Sequence, residues 1–226
     1  MADDFRAVSL DTPAQYADAA ALYREVFGYQ QPDHGVNPRL LAALAGNGGS
    51  VVGILDAIDR LVAFAYGFPG TSESALYHYS QSAVVAADLQ GRGLGRMLKY
   101  AQRDVALAHG MTRMRWTYDP FQLRNAHFNL NVLGARARWY TPDLYGPGTD
   151  RLVVEWDLAP GQAAVPAVDR VPVARIEIPA DRASVTELVI TRVREEFAEL
   201  FAKGLVATGI RRTGDGTASY LFGSPA

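Results

Sequence analysis

The chain contains no cysteine. That excludes a disulfide framework, a thiolate metal site and a thiol nucleophile. It has no apolar run near the roughly 18 residues of a membrane-spanning helix. The opening Met1-Ala2-Asp3-Asp4 lacks the basic and apolar regions of a secretory leader, so a cytoplasmic location is expected. A formal net charge of −2 argues against a general nucleic-acid or membrane partner. Two nucleotide signatures are missing as well. Gly95-Arg96-Met97 does not supply the Gly-Lys-Ser/Thr ending of a P-loop. Glycines at 91, 93 and 95 do not fit the Gly-x-Gly-x-x-Gly spacing of a dinucleotide fold.

What is there is an ordinary folding sequence of 226 residues, 49% hydrophobic and 20% charged. It centres on the turn Gln90-Gly91-Arg92-Gly93-Leu94-Gly95. The apolar run Ser82 to Ala87 precedes this turn, and a helix-compatible run from Arg96 to His109 follows it. A strand entering a helix through glycines presents unpaired N–H groups at the positive end of the helix dipole. Such a turn suits a phosphate or pyrophosphate, which the backbone approaches closely where no Cβ intervenes. From Gln90 to Trp139 nine basic residues (Arg92, Arg96, Lys99, Arg103, Arg113, Arg115, Arg124, Arg136, Arg138) face two acidic ones, Asp104 and Asp119. They form either an electropositive surface for such an anion or a solvated face.

Along the chain, Phe5 to Leu10 reads as a strand. Thr12-Pro13-Ala14-Gln15 supplies an N-cap, a proline at the first helical position and a capping-box glutamine for a helix to about Phe27. A second helix follows from Asn37-Pro38 to Leu44. Ser50 to Ile58 and Leu61 to Phe68 form a hairpin about Asp59-Arg60, and Pro69 to Ser72 is a loop. Ala75 to Ala87 is the central strand, Gly93 to His109 the main helix with Gly110 at its C-cap, and Met111 to Tyr118 the next strand. Arg124 to Leu133 is helical, and Ala135 to Tyr140 and Arg151 to Leu158 are strands. Pro160, Gly161, Pro166 and Pro172 mark residues 159–172 as a linker. A β-α-β-β segment over residues 173–226 closes the chain, with Ser184-x-x-Glu187 capping its helix. This segment is short for independent stability. It packs on residues 1–158, extends their sheet, or pairs with a second copy in a homodimer.

Gln90-x-x-Gly93-x-Gly95 resembles the pyrophosphate-binding signature Gln/Arg-x-x-Gly-x-Gly/Ala of the GNAT superfamily of acyl-CoA N-acyltransferases. The element order through Leu158 is similar to that family's fold. The resemblance implies an α/β (α+β) protein with a mixed, splayed β-sheet flanked by helices, here with the C-terminal βαββ extension. It implies acetyl-CoA or another acyl-CoA as cosubstrate, no metal, a small amine or amino acid as acceptor, and direct attack by the amine on the thioester. Residues 1–158 would be the acyl-CoA-binding domain. Amides of Gly91, Arg92, Gly93, Leu94, Gly95 and Arg96 would hold the pyrophosphate, and the backbone of Val84 or Val85 would support the thioester oxygen.

Many members protonate the departing thiolate with a tyrosine in the helix after the fifth strand, seven residues after an asparagine and four before a glycine. Here Asn125 leads to Val132, and Gly134 leads back to Leu130. Tyr118 and Tyr140 are the substitutes. Asn125 and Asn129, on one helix face, would bond the pantetheine or the acceptor; His127 and Asn131 form a second such pair. His78, Glu73 and Asp119 are candidate bases, with an ordered water as the alternative. Trp116 and Trp139 stand near the expected cleft. Arg113, Arg115, Arg136 and Arg138 leave room for a succinyl group or an acceptor carboxylate, as does Arg151. The absent helix tyrosine leaves a second reading, a non-catalytic acyl-CoA-binding or sensing module.

Overall fold

Thr12 opens the first helix as its neighbours dictate. Its hydroxyl accepts from the Gln15 amide at 3.3 Å, while the Gln15 side chain accepts from the Thr12 amide at 3.1 Å. The computed structural model describes residues 5–31, 34–72, 75–159, 171–214 and 216–225. The chain divides into two compact units, Met1–Met114 and Arg115–Ala226. Glu73 and most of the expected linker, residues 160–170, lie outside the described residues.

The first unit comprises β1 (Arg6–Ser9), α1 (Pro13–Phe27), α2 (Pro38–Gly46), β2 (Ser50–Leu55), β3 (Leu61–Ser72), β4 (Ala75–Val85) and α3 (Leu94–Ala108). Its strands run in the order β1-β2-β3-β4, each antiparallel to the next. Period-two alternation splits the core into two layers. Val51, Phe64 and Val84 pack with Ala19, Leu22 and Leu41 of α1 and α2. Val52, Ile54, Ala63 and Ala65 pack with Leu94 and Leu98 of α3.

Two local expectations change. Pro69 to Ser72 is the end of β3 rather than a loop, paired with His78 to Ala75. The β2 register ends at Gly67, so proline's missing N–H falls on an edge where it forfeits no ladder bond. The Tyr77 ring fills the space over Gly70, where a Cβ would come within 2.6 Å of it. β4 also carries a bulge. Tyr66 pairs with Ser82 but Gly67 pairs with Ser80, so Gln81 has no opposite number.

The second unit takes in β5 (Arg113–Tyr118), which starts at the boundary, then α4 (Leu123–Ala126), β6 (Arg136–Thr141) and β7 (Arg151–Asp157). After these come β8 (Ala174–Pro179), α5 (Glu187–Ala202), β9 (Val206–Gly214) and β10 (Thr217–Gly223). Their order is β5-β7-β6-β9-β10-β8. The α/β class and the closing β-α-β-β order are as expected. In the closing segment β9 joins β6 at Ala137↔Ala207. Phe197 of α5 anchors it, its ring 5.3 Å from Tyr140, 5.2 Å from Tyr220 and 5.6 Å from Phe222. The cap of α5 is Thr186, not Ser184. Asp181 draws Arg182–Ser184 into a separate 3₁₀ turn, and Thr186 accepts from Val189. The expected helix over Arg124–Leu133 is α-helical only to Ala126, and His127–Val132 is a π-helix.

Candidate functional site

In the first unit β4 ends at Val85, a single 3₁₀ turn spans Ala87–Leu89, and Gln90 is extended. Gly91 and Gly93 then take φ of 85° and 86°, in the left-handed region where glycine carries no penalty. Gly93 is the N-cap of α3 and offers no side-chain cap, and no acidic residue occupies the first turn. Its carbonyl accepts from Arg96 and Met97 at 3.0 and 3.1 Å. A Cβ built at Gly91 or Gly93 would meet nothing within 4 Å, so the space before the helix is open. Arg92 and Arg96 are exposed beside it, set over the Phe5 and Tyr100 rings at 5.3 and 5.5 Å. Buried Leu94 pins the helix start to the core. An open helix start flanked by two arginines can hold an anion.

The ladder also separates the two valines. The Ala86 amide donates to Val62 across the β3 edge at 2.9 Å. Antiparallel alternation then turns the Val84 amide toward β3 and the Val85 amide away from it. The Gln90 side chain donates to the Val85 carbonyl at 3.4 Å, tying the turn to the strand that leads into it.

His78 is not displayed. It is 0% exposed and belongs to a sealed chain of polar groups between α3 and the sheet. Lys99 Nζ donates to Ser80 Oγ at 2.8 Å, Ser80 donates to Gln102 Oε1 at 2.8 Å, and Gln102 Nε2 donates to Ser50 Oγ at 3.1 Å. Ser50 Oγ lies 2.9 Å from His78 Nε2. Burial, with the positive charges of Lys99 and His109, pushes the His78 pKa down to about 4. Burial alone pulls Lys99 down to about 7. This geometry presents no base to an incoming amine. Plain alternation puts His78, Ser80, Ser82 and Val84 on one face. The bulge at Gln81 shifts the phase, so His78 and Ser80 meet α3 while Val84 meets α1 and α2. Lys99, counted from sequence as part of a basic surface, is core. Its signal was its place on the inner stripe of α3, beside Leu98 and Gln102.

In the second unit the Tyr118 hydroxyl is buried beside that of Tyr220, without a well-formed hydrogen bond to it, and burial raises its pKa. Tyr220 donates to the Pro120 carbonyl at 2.6 Å. The Tyr140 hydroxyl donates its one proton to Asp150. Asp150, 4% exposed, is gripped by Arg194 through Nε at 2.7 Å and Nη2 at 2.6 Å. Burial and then the Asp150 carboxylate hold the Tyr140 pKa above its ordinary value. Tyr140 is thus occupied in a structural role, and Tyr118 is buried.

Asn125 and Asn129 do not share a face. Asn125 is exposed, whereas buried Asn129 accepts from Trp116 Nε1 at 3.0 Å, because the helix widens after Ala126. Asp119 caps its own turn, accepting from Phe121 at 2.8 Å. Arg115 and Arg138 converge on buried Glu155 at 2.7 and 3.0 Å, and Arg115 also covers the Trp139 ring at 4.7 Å. Arg136 donates to the Gly134 carbonyl at 3.0 Å. Arg151 donates to the Asp150 carbonyl at 2.8 Å and sits over the Tyr145 ring.

The sequence pattern of the Acetyltransferase (GNAT) family matches residues 16–134. No curated protein matches the chain. Solved structures share the fold at low identity. The ribosomal-protein-S18-alanine N-acetyltransferase of Escherichia coli is 16% identical with a TM-score of 0.54, over 69% of this chain and 95% of that one. A Salmonella typhimurium protein solved with acetyl-CoA is 19% identical with a TM-score of 0.56, over 71% and 97%. An aminoglycoside 6′-N-acetyltransferase complexed with coenzyme A is 14% identical with a TM-score of 0.54, over 69% and 98%.

Proposed function

The chain belongs to the acetyltransferase (GNAT) family, and on that premise we propose that it transfers an acyl group, acetyl or succinyl, from coenzyme A to a small amine or amino acid. The observation that carries this reading is the uncapped start of α3 behind Gly91 and Gly93, with open space where their side chains would be. Amides of the turn hold the diphosphate, assisted by Arg92 and Arg96. The acceptor nitrogen attacks the thioester carbon. The Val85 amide, turned from β3, steadies the oxyanion, and the carbon–sulfur bond then breaks. The proton leaving the ammonium reaches the coenzyme A thiolate through water, since His78 and Tyr118 are buried and Tyr140 is bonded to Asp150.

The same engagement favours a second reading, a module that binds acyl-CoA without turning it over. Calorimetric titration with acetyl-CoA and succinyl-CoA, followed by thiol release over a panel of amines, separates the two. Binding with no release on any amine supports the sensor. Gly93→Asp tests both. It places a carboxylate where the diphosphate sits and imposes a positive φ on a side chain, so binding is expected to disappear. Gly93→Ala controls for the strain alone, about 1 kcal/mol. Full affinity in Gly93→Asp, with the fold intact by circular dichroism, overturns this use of the turn.

A further inference from the structure

Beside the glycine turn, and wholly within the first unit, lies a cleft of about 250 Å³ that the diphosphate does not use. Leu89, from the 3₁₀ turn before Gln90, lines it and is buried. Phe5, just before β1, contributes an aromatic wall, and Ala57 and Ile58 contribute an aliphatic one from the turn that joins β2 to β3. Arg92 also lines the cleft, its guanidinium 5.3 Å above the Phe5 ring.

The β2–β3 turn is pinned from within. One Asp56 oxygen accepts from the Ile58 amide at 3.1 Å and from the Arg60 amide at 2.9 Å, and the other accepts from Arg60 Nε at 3.0 Å. Asp59, in the left-handed region at φ 63°, is tied to Arg6 of β1. None of these bonds uses the Ile58 side chain, yet an isoleucine stands there 82% exposed. A single exposed aliphatic residue is ordinary. This one borders a concave surface that a phenylalanine and a leucine share, and the backbone carrying it is fixed.

Size and place select the occupant. Pockets that take a whole ligand run to roughly 300–1,000 Å³, so this cleft suits one end of a larger molecule. A coenzyme A diphosphate on the turn has two arms. The thioester arm is drawn to the Val85 amide, which faces away from β3. The cleft lies on the other side, toward β2 and β3, and Arg92 connects it to the turn because it stands between Gly91 and Gly93. The arm that reaches it is the nucleoside. A flat heteroaromatic ring can lie against a phenylalanine face and a guanidinium plane. It would also cover the Ile58 side chain, removing apolar surface from water.

We propose that this cleft seats the adenine ring of the acyl-CoA, and that Phe5 and Ile58 make the chain select a nucleotide-bearing donor over a bare phosphopantetheine thioester. The inference rests on the acyl-CoA reading above and adds a donor preference to it.

Acetyl-CoA and S-acetyl-4′-phosphopantetheine, which lacks the adenosine, are titrated calorimetrically into the full chain and two variants. Ile58→Ser removes the aliphatic wall at an exposed position without adding charge. Phe5→Leu keeps an apolar side chain and removes the aromatic face. Wild-type protein is expected to bind acetyl-CoA more tightly than the phosphopantetheine thioester. Each variant is expected to weaken acetyl-CoA by about fivefold or more and to leave the thioester without adenosine unchanged. If Phe5→Leu does not fold, Ile58→Ser decides the matter. Undiminished acetyl-CoA binding in Ile58→Ser, an equal loss for both ligands, or equal wild-type affinity for the two overturns the proposal and leaves the proposed function standing. Failure of wild-type protein to bind either ligand would overturn both.

Discussion

Between α3 and the first unit's sheet, five polar side chains are buried with no carboxylate among them. Lys99, Ser80, Gln102, Ser50 and His78 are joined in a single line of hydrogen bonds, and both titratable members have their pKa values pulled down. The second unit buries acids instead and pairs them with arginine. Glu155 takes Arg115 and Arg138, while Asp150 takes Arg194 and the Tyr140 proton. A neutral chain is least harmed where its bases can stay uncharged. An ion pair requires both charges, because removing one leaves the other desolvated. The two units should therefore respond oppositely to losing a charge and fail at different pH.

The sharpest break in this contrast is Glu155→Ala. It strands Arg115 and Arg138 and is expected to destabilise the protein by about 4 kcal/mol, measured by denaturant unfolding at pH 7. Next comes acid. His78 has a pKa of about 4 folded, against 6.5 for the ordinary side chain. The unfolded chain therefore takes up the proton first, and stability falls as pH drops from 6.5 to about 4. The loss is about 3 kcal/mol when complete. His78→Gln should flatten that window. Asp150, whose pKa is lowered, contributes stability that survives until pH falls below the ordinary carboxylate range. The smallest change should be Lys99→Met, within about 1 kcal/mol of wild type at pH 7, since the charge it removes is poorly housed. It should also abolish the rise in stability between pH 7 and 10.5 that follows from the lowered Lys99 pKa. A loss as large as that of Glu155→Ala would erase the distinction between the units.

Features governed by neighbours in sequence were legible in advance. Thr12 and Gln15 announced α1, and Gln90-x-x-Gly93-x-Gly95 announced an uncapped helix start, because capping and positive φ are settled within a few residues. The phase of β4 was not legible, since the bulge at Gln81 depends on how β3 pairs with it. The widened helix after Ala126 likewise gave no sequence signal, and it separates Asn125 from Asn129. Tyr140 looked available because its partners, Asp150 and Arg194, stand ten and fifty-four residues further on. Lys99 was the readable miss, because Leu94, Leu98, Gln102 and Ala106 outline the stripe beside it.

The unmatched Gln81 leaves β4 with two allegiances. Before it, the strand's buried side chains serve the polar seam under α3; after it, they serve the hydrocarbon layer under α1 and α2. Pairing the two strands without that extra residue looped out, at unchanged length, would bring both sets to one face. Either serine and histidine would be driven into hydrocarbon or valine into a nest of hydrogen-bonding groups, before a single contact at the glycine turn had been altered.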